Sequence, residues 1–283
     1  MYSDQIRTTI ETHLDEKIEH SSMLGGGSIA STWKLDGEKG RSFVLKINPY
    51  RAMVVAETQG LKELSKSGEI RVPKVFLYKD DWLLMEHISQ GKKDEAFFTT
   101  FGAQLAKMHR HECGSYGFEE DNFIGETPQI NLEHRHSWVD FFLQNRLVYQ
   151  IERALSKGAP HKLKDNFLRA LPTIRQLLEE STERPCLLHG DLWSGNYLVD
   201  KEQLPVLIDP AVYYGHREAE LAMTRLFGGF DPSFYEAYEQ EYPLQAGHQN
   251  RLPLYELYHV LNHYNLFGGH YLDQSLEILA KYF

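Results

Sequence analysis

Cysteine is scarce in this chain: Cys113 and Cys186 are the only two, far apart and in no Cys-x-x-Cys pair, so no disulfide framework is implied. Long apolar runs are missing too, and no stretch approaches the ~18 residues of a membrane span. Residues 1–20 are polar and acidic, without the apolar segment of a secretory signal. The expectation is a cytoplasmic protein with no membrane partner. Positive charge is in deficit, with 30 Lys and Arg against 40 Asp and Glu and a net charge of −10. A nucleic-acid backbone would have to overcome that field, so no nucleic-acid partner is expected. What remains is an ordinary globular composition, 42% hydrophobic and 25% charged over 283 residues, enough for two lobes and a substantial core.

Hydrophobic spacing divides the chain near residue 88. Residues 4–20 read as a short polar helix. Met23-Leu24, the run Gly25-Gly26-Gly27-Ser28 and the stretch to Trp33 read as strand, turn and strand, with further strands over 42–47, 72–78 and 82–86. Between them, residues 51–66 have helical spacing that puts Met53, Glu57, Gly60, Leu61 and Leu64 on one face. Downstream the pattern is helical. Phe97, Phe98, Phe101, Leu105 and Met108 form one apolar stripe, and Leu163, Phe167, Leu171, Ile174 and Leu178 form another. A strand is expected over 205–208, and two helices around Gly268-Gly269. The fold class expected is α+β: a β-rich lobe over 1–88 and a mainly helical lobe over 89–283, the protein-kinase-like arrangement.

The chemistry is concentrated in His189-Gly190-Asp191-Leu192-Trp193-Ser194-Gly195-Asn196, followed by Leu207-Ile208-Asp209. An Asp stands five positions before an Asn, and a second Asp thirteen residues beyond it at the end of an apolar run. Phosphoryl transfer from ATP requires one carboxylate to accept the proton of the attacking hydroxyl, and an amide and a second carboxylate to hold Mg²⁺. The spacing is that of the protein-kinase H-R-D-x-x-x-x-N motif with Gly in place of Arg. Asp191 is then the proton acceptor, and Asn196 and Asp209 are the metal ligands, supplying the hard oxygen donors that suit Mg²⁺. His189 is a loop support. A solvated, glycine-bounded turn with chance acids is the plainer reading of the motif taken alone.

Other residues weigh against that plainer reading. Gly25, Gly26, Gly27 and Ser28 lie between two strands, which fits a flap over ATP phosphates and not a Rossmann or Walker turn. Lys46 follows Phe43-Val44-Leu45 within an apolar strand, and Glu57 falls on the apolar face of the next helix. Together they make the ion pair that grips the α- and β-phosphates; apart they would be two snorkelling surface charges. Met85, Glu86, His87 and Ile88 form the hinge, with the backbone of Glu86 to Ile88 reading the adenine edge. No Ala-Pro-Glu motif occurs, and charged helical sequence begins at Arg217, about eight residues after Asp209. Pro210 follows Asp209 where protein kinases have Phe-Gly. With no room for a long activation loop, the acceptor is expected to be a small molecule or a small appended group. His259 and His263 lack a third zinc ligand, and His109, His111, His134 and His136 read as surface or loop-anchoring residues.

At this point the chain resembles the fructosamine kinases, or ketosamine-3-kinases, which are relatives of aminoglycoside and choline kinases. The likeness runs over nearly the whole length: the glycine flap, Tyr116-Gly117-Phe118 with Asp121 to Gly125, Thr127-Pro128-Gln129 with Asn131, Trp138, the 189–196 motif, Leu207 to Ala211, Tyr213 to Glu218, and Leu266 to Gly269. The resemblance implies ATP-dependent phosphorylation of the 3-hydroxyl of a ribulosamine, erythrulosamine or fructosamine, carried on an amine or a protein lysine. The 3-phosphate favours breakdown of the adduct and so repairs glycation. It also implies that Trp193 binds substrate, and that the protein is a monomer or weak dimer. Two positions depart from the family pattern. Ser28 stands where many members have Cys, which argues against a flap disulfide. Glu220 stands where Asp is usual, which puts a supporting contact to the catalytic loop in question. A kinase of an aminoglycoside, choline or another small hydroxyl compound is the alternative, and a non-catalytic nucleotide-binding relative a more distant one. The stretch Thr127-Pro128-Gln129 and Trp138 read more like a sugar site than like the acidic site of an aminoglycoside enzyme.

Overall fold

The computed structural model describes residues 2–25 and 30–283. Helix α1 (Asp4–Leu14) opens at Ser3, whose side chain accepts the Ile6 N–H, and stops at Asp15, which takes a left-handed φ of 50°. The helix expected over 4–20 is thus shorter, and strand β1 (Ile18–Leu24) takes up its end. β1 is an edge strand with five consecutive exposed residues, so it lacks the alternation by which a strand is recognised. With β2 (Ser31–Gly37), β3 (Ser42–Ile47), β4 (Val75–Lys79) and β5 (Trp82–Glu86) it forms an antiparallel sheet in the order β1-β2-β3-β5-β4. Strand alternation gives the sheet two apolar faces. Leu35, Phe43, Leu45, Trp82 and Leu84 pack with Ile10 of α1, while Leu83 and Met85 face Val54 and Leu61 of helix α2 (Arg51–Ser65).

The rest of the chain is mainly helical. Helix α3 (Phe97–Met108) is followed by α4 (Trp138–Asp140), a π-helical stretch (Phe141–Val148), α5 (Tyr149–Ser156) and α6 (Lys162–Glu179). After an irregular region come α7 (Arg217–Leu226), α8 (Pro232–Glu241), α9 (His248–Phe267) and α10 (Tyr271–Leu279). Phe97 and Phe101 are buried, as core residues of a helix packed on α8 should be. Three two-stranded ladders are set among these helices: β6 (Asn122–Ile124) with β7 (Thr127–Gln129), β8 (Cys186–Leu188) with β11 (Tyr213–Gly215), and β9 (Tyr197–Val199) with β10 (Pro205–Leu207). Three residues are too few to leave a period, which is why only the strand near 205–208 was expected. Among the described residues no helix is long and apolar enough to cross a membrane.

Candidate active site

Along the chain the β9–β10 ladder is nested inside the β8–β11 ladder, and this places residues 189–196 beside residues 208–211. The loop 189–196 leaves β8 and enters β9; the segment 208–211 leaves β10 and leads to β11. Cross-bonds fasten the two. The Ile208 N–H donates to the Asn196 carbonyl at 3.0 Å, the Ala211 N–H to the His189 carbonyl at 2.9 Å, and the His189 ring Nε2 lies 2.8 Å from the Ile208 carbonyl. Gly190 has a φ of 84°, and a Cβ there would lie 2.0 Å from the Ala211 carbonyl oxygen. A side chain cannot be accommodated, which is the physical reason this chain has Gly where protein kinases have Arg.

Asp191, Asn196 and Asp209 meet in this knot. The Asn196 amide Nδ2 donates to the Asp191 carbonyl at 2.7 Å and to its carboxylate Oδ2 at 3.1 Å. Asp209 holds a left-handed φ of 53°, uncommon for a residue other than Gly, and keeps 46% of its side chain accessible. Lys46 of β3 reaches Glu57 of α2 at 2.9 Å and Asp209 at 2.5 Å. Burial works against the Lys46 charge, but Glu57 and Asp209 outweigh it and raise its pKa. Burial lifts Glu57 above the usual carboxylate range against the pull of Lys46, whereas Lys46 holds Asp209 low despite burial. Burial, with the charges of Asp209 and Glu220, pushes Asp191 up to about 8 against the lowering effect of Asn196. Burial also lowers His189, which favours a neutral ring.

Glu220, on the first turn of α7, supports the loop from below. Its two carboxylate oxygens accept the backbone N–H of His189 at 2.7 Å and of Gly190 at 2.9 Å. The contact questioned on the ground of its extra methylene is made by both oxygens. His109, fully buried at the end of α3 and not at the surface, lies 3.4 Å from the same carboxylate and 2.8 Å from the Tyr238 hydroxyl. Nothing in the sequence around His109 marks it for this place.

Several expectations change. Thr127, Gln129 and Trp138 are at most 2% exposed, so they cannot form an open sugar site. The Gln129 amide donates to the Ala211 carbonyl at 3.0 Å, and the Asn122 amide to the Val212 carbonyl at 2.6 Å. Trp138 stacks with Phe141 and Phe142 and donates to the Tyr255 hydroxyl at 3.0 Å. These polar residues face inward to satisfy backbone groups near Asp209, a direction that spacing does not reveal. In the hinge, Met85 and Glu86 pair with Val44 and Phe43, the Glu86 N–H donates to the Lys74 carbonyl at 2.8 Å, and the His87 N–H to the Ser42 carbonyl at 3.4 Å. Two of the three N–H groups expected to face adenine are therefore engaged in the protein. That of Ile88 has no protein acceptor among the described residues. Gly25 is described; Gly26, Gly27 and Ser28 of the flap lie outside the described residues. Trp193, two residues past Asp191, is 38% exposed with Phe227 edge-on to its ring.

Known proteins share this architecture. The fructosamine kinase family profile matches residues 1–283. A relative from Enterococcus faecium, provisionally named a ketoamine kinase, is 39% identical over 264 residues, covering 91% of this chain and 93% of the relative. The chloroplastic protein-ribulosamine 3-kinase of Arabidopsis thaliana is 38% identical over 298 residues, covering 100% and 88%. A crystal structure from Thermobifida fusca with a provisional fructosamine-3-kinase name superposes with a TM-score of 0.88 at 28% identity, covering 99% of this chain and 98% of that one. An aminoglycoside phosphotransferase, at a TM-score of 0.68 and 14% identity over 98% of each chain, shares the protein-kinase-like fold alone. On the match along its full length and the identity to these relatives, the chain belongs to the fructosamine kinase family.

Proposed function

We propose that this protein is an ATP-dependent ketosamine 3-kinase, phosphorylating the 3-hydroxyl of a ribulosamine, erythrulosamine or fructosamine adduct of an amine or a protein lysine. The observation that carries the reading is the junction of Lys46 with both Glu57 and Asp209, beside an Asp191 tethered to Asn196. A lysine, its carboxylate partner, a second carboxylate, an amide and a candidate base stand together among the described residues, which weighs against a non-catalytic nucleotide binder. Lys46 is held charged where it can meet phosphate oxygens. The Ile88 N–H is the hinge group free to meet adenine, and the Gly25 to Ser28 flap would cover the phosphates. The hydroxyl oxygen of the sugar attacks the γ-phosphorus, the bond to the β–γ bridging oxygen breaks, ADP leaves, and the hydroxyl proton passes to the Asp191 carboxylate. A carboxyl lifted toward neutrality suits that proton transfer. His189 and Glu220 fix the loop from which Asp191 projects.

Mg²⁺ fits the donor set. Asn196 spends its amide hydrogens on Asp191, which leaves its carbonyl oxygen as an acceptor, and Asp209 offers an accessible carboxylate. When bound, the ion supplies neutralisation of phosphate charge. The reading takes the protein as a monomer or weak dimer, with the lobes dividing at 88/89. The reading places the protein in the cytoplasm and needs no nucleic-acid or membrane partner.

The test is ADP release against ribulose-, erythrulose- and fructose-lysine adducts, with an aminoglycoside and choline as controls, in wild type and Asp191→Asn. Loss of the base is expected to lower turnover at least about 100-fold while MgATP binding persists. Turnover on a control alone, or a variant with near-normal turnover, would overturn the assignment.

A further inference from the structure

The mechanism above leaves Trp193 unused, yet that exposed ring does not stand alone. Phe227, just past the end of α7, lies edge-on to Trp193 with centroids 6.4 Å apart. His263 of α9 follows at 4.8 Å from Phe227, and Phe267, the last residue of α9, at 5.7 Å from His263. Tyr271, the first residue of α10, flanks His263 at 5.2 Å. Three helix ends therefore converge to make a row of rings that starts two residues from Asp191. The approach is close: a Cβ on Gly229 would lie 2.6 Å from that of Ser194, so the turn after α7 presses directly on the catalytic loop.

The row is open to solvent. Phe227 is 40% exposed and Phe267 64%, and large rings grouped on a surface mark a binding site more often than scattered ones do. Elsewhere in the molecule cations cover ring faces, as Lys93 does for Phe98 and Arg146 for Tyr213. Among the described residues no Lys or Arg lies over Trp193, Phe227, Phe267 or Tyr271. Burial lowers the His263 pKa and so favours its neutral form, adding no charge to repel a cation.

The geometry points to a subsite for the amine side of the substrate: the row receives the nitrogen and methylene stem of a glycated lysine while the sugar lies at Asp191. This rests on the ketosamine reading. In a ketosamine three carbons separate the amine nitrogen from the 3-hydroxyl oxygen, so a sugar poised at Asp191 brings its nitrogen to the neighbourhood of Trp193, two residues on, and its substituent onto whatever lies next. A protonated secondary amine suits an aromatic face, and a methylene stem suits the apolar rings beyond it. The ring-to-ring steps of 4.8 to 6.4 Å match the scale of a lysine stem, and the open far end leaves room for the chain that bears the lysine.

The experiment compares adducts of one sugar on methylamine, butylamine and Nα-acetyl-lysine, in wild type, Phe227→Ala and Phe267→Ala. A methylene taken fully out of water is worth up to about fourfold in binding, and a half-covered one about twofold. In wild type, KM for the adduct is expected to fall by about eightfold or more from methyl to butyl and to stay low for lysine. In either variant the dependence on chain length is expected to shrink to about twofold. Melting temperature and MgATP affinity by calorimetry verify the fold of each variant. Equal KM values for methyl and butyl adducts in wild type, or a uniform loss on all adducts in both variants, would overturn the subsite and leave the kinase assignment standing. Absence of turnover on every adduct would remove that assignment, and the subsite with it.

Discussion

Gly60 sets the distance between the helix that carries Glu57 and the segment that carries Asp209. It is buried on α2, three residues beyond Glu57, and a Cβ placed on it would lie 3.0 Å from Pro210 Cγ and 3.4 Å from Val212 Cγ2. In Gly60→Ala the neighbours must give by a few tenths of an ångström, while the better helix propensity of Ala returns about 1 kcal/mol. Stability should stay near wild type and ATP kinetics within about threefold. Gly60→Val adds two further methyl groups to a closed contact, and overpacking of this kind costs about 1–3 kcal/mol unless the helix moves. Moving α2 outward carries Glu57 away from Lys46, whose bond to it is 2.9 Å. A hydrogen bond to a charged group is worth about 1.5–3 kcal/mol, so kcat/KM for ATP should fall about 10- to 150-fold. The assay is ADP release against ATP at saturating ketosamine, with thermal melts to exclude unfolding. Pro210→Ala removes the ring atoms that Val would strike, and in the Gly60→Val background it should recover much of the loss, a coupling that a double-mutant cycle reads directly. A Gly60→Val enzyme with wild-type kcat/KM for ATP, or a double mutant no better than the single, would refute the reasoning.

Glu220→Ala should leave the buried His189 and Gly190 N–H groups unpaired, at about 1–3 kcal/mol each, seen as a lower urea midpoint together with a fall in kcat. Burial alone would raise the Glu220 pKa, but His109 and the loop N–H groups hold it below its ordinary value. Its stabilisation is therefore complete above the unfolded-state pKa and lost as pH falls through the lower native value. Denaturation curves between about pH 6 and pH 3 should show a shallower acid loss in Glu220→Gln than in wild type. Glu218 and Arg251 form a buried pair with both oxygens bonded at 2.7 Å and neither side chain more than 2% exposed. Glu218→Gln strands the guanidinium, and a loss of about 3–5 kcal/mol is expected by chemical denaturation.

The parts of the site that the sequence disclosed are those whose meaning is local. The 189–196 spacing survives translation into structure because both ends of the loop are clamped within a few residues, at β8 and β9. Lys46 and Glu57 were legible as charges in places where charges are costly, and they do meet. Direction is what spacing hides. Thr127-Pro128-Gln129 reads as a sugar site, yet Gln129 is buried with its amide turned inward to Asn122, itself bonded to the buried Asn131. Only the end of β1, at Met23-Leu24, was legible, because an exposed edge strand carries no alternation, and His109 was hidden because its partners are more than one hundred residues away. The hinge illustrates the same limit: its position was readable, but which of its N–H groups the sheet consumes depends on Ser42 and Lys74 across the fold.

Only seven residues separate Asp209 from Arg217, and the structure explains how so short a segment is ordered without a phosphorylated loop. The Ala211 and Val212 carbonyls are each held by a buried side-chain amide from the β6–β7 hairpin, and Gln129 is in turn fixed by the Tyr258 hydroxyl at 2.8 Å. On the other side Gly60 abuts Pro210, and the Tyr214 hydroxyl donates to Glu63 of α2 at 2.9 Å. Where a phosphate would order such a segment by recruiting arginines, here neutral amides of the core do so permanently. Neutral hydrogen bonds inside a packed core respond neither to salt nor to a signalling enzyme. Asp209 is thus held in place before nucleotide arrives, by contacts within the fold.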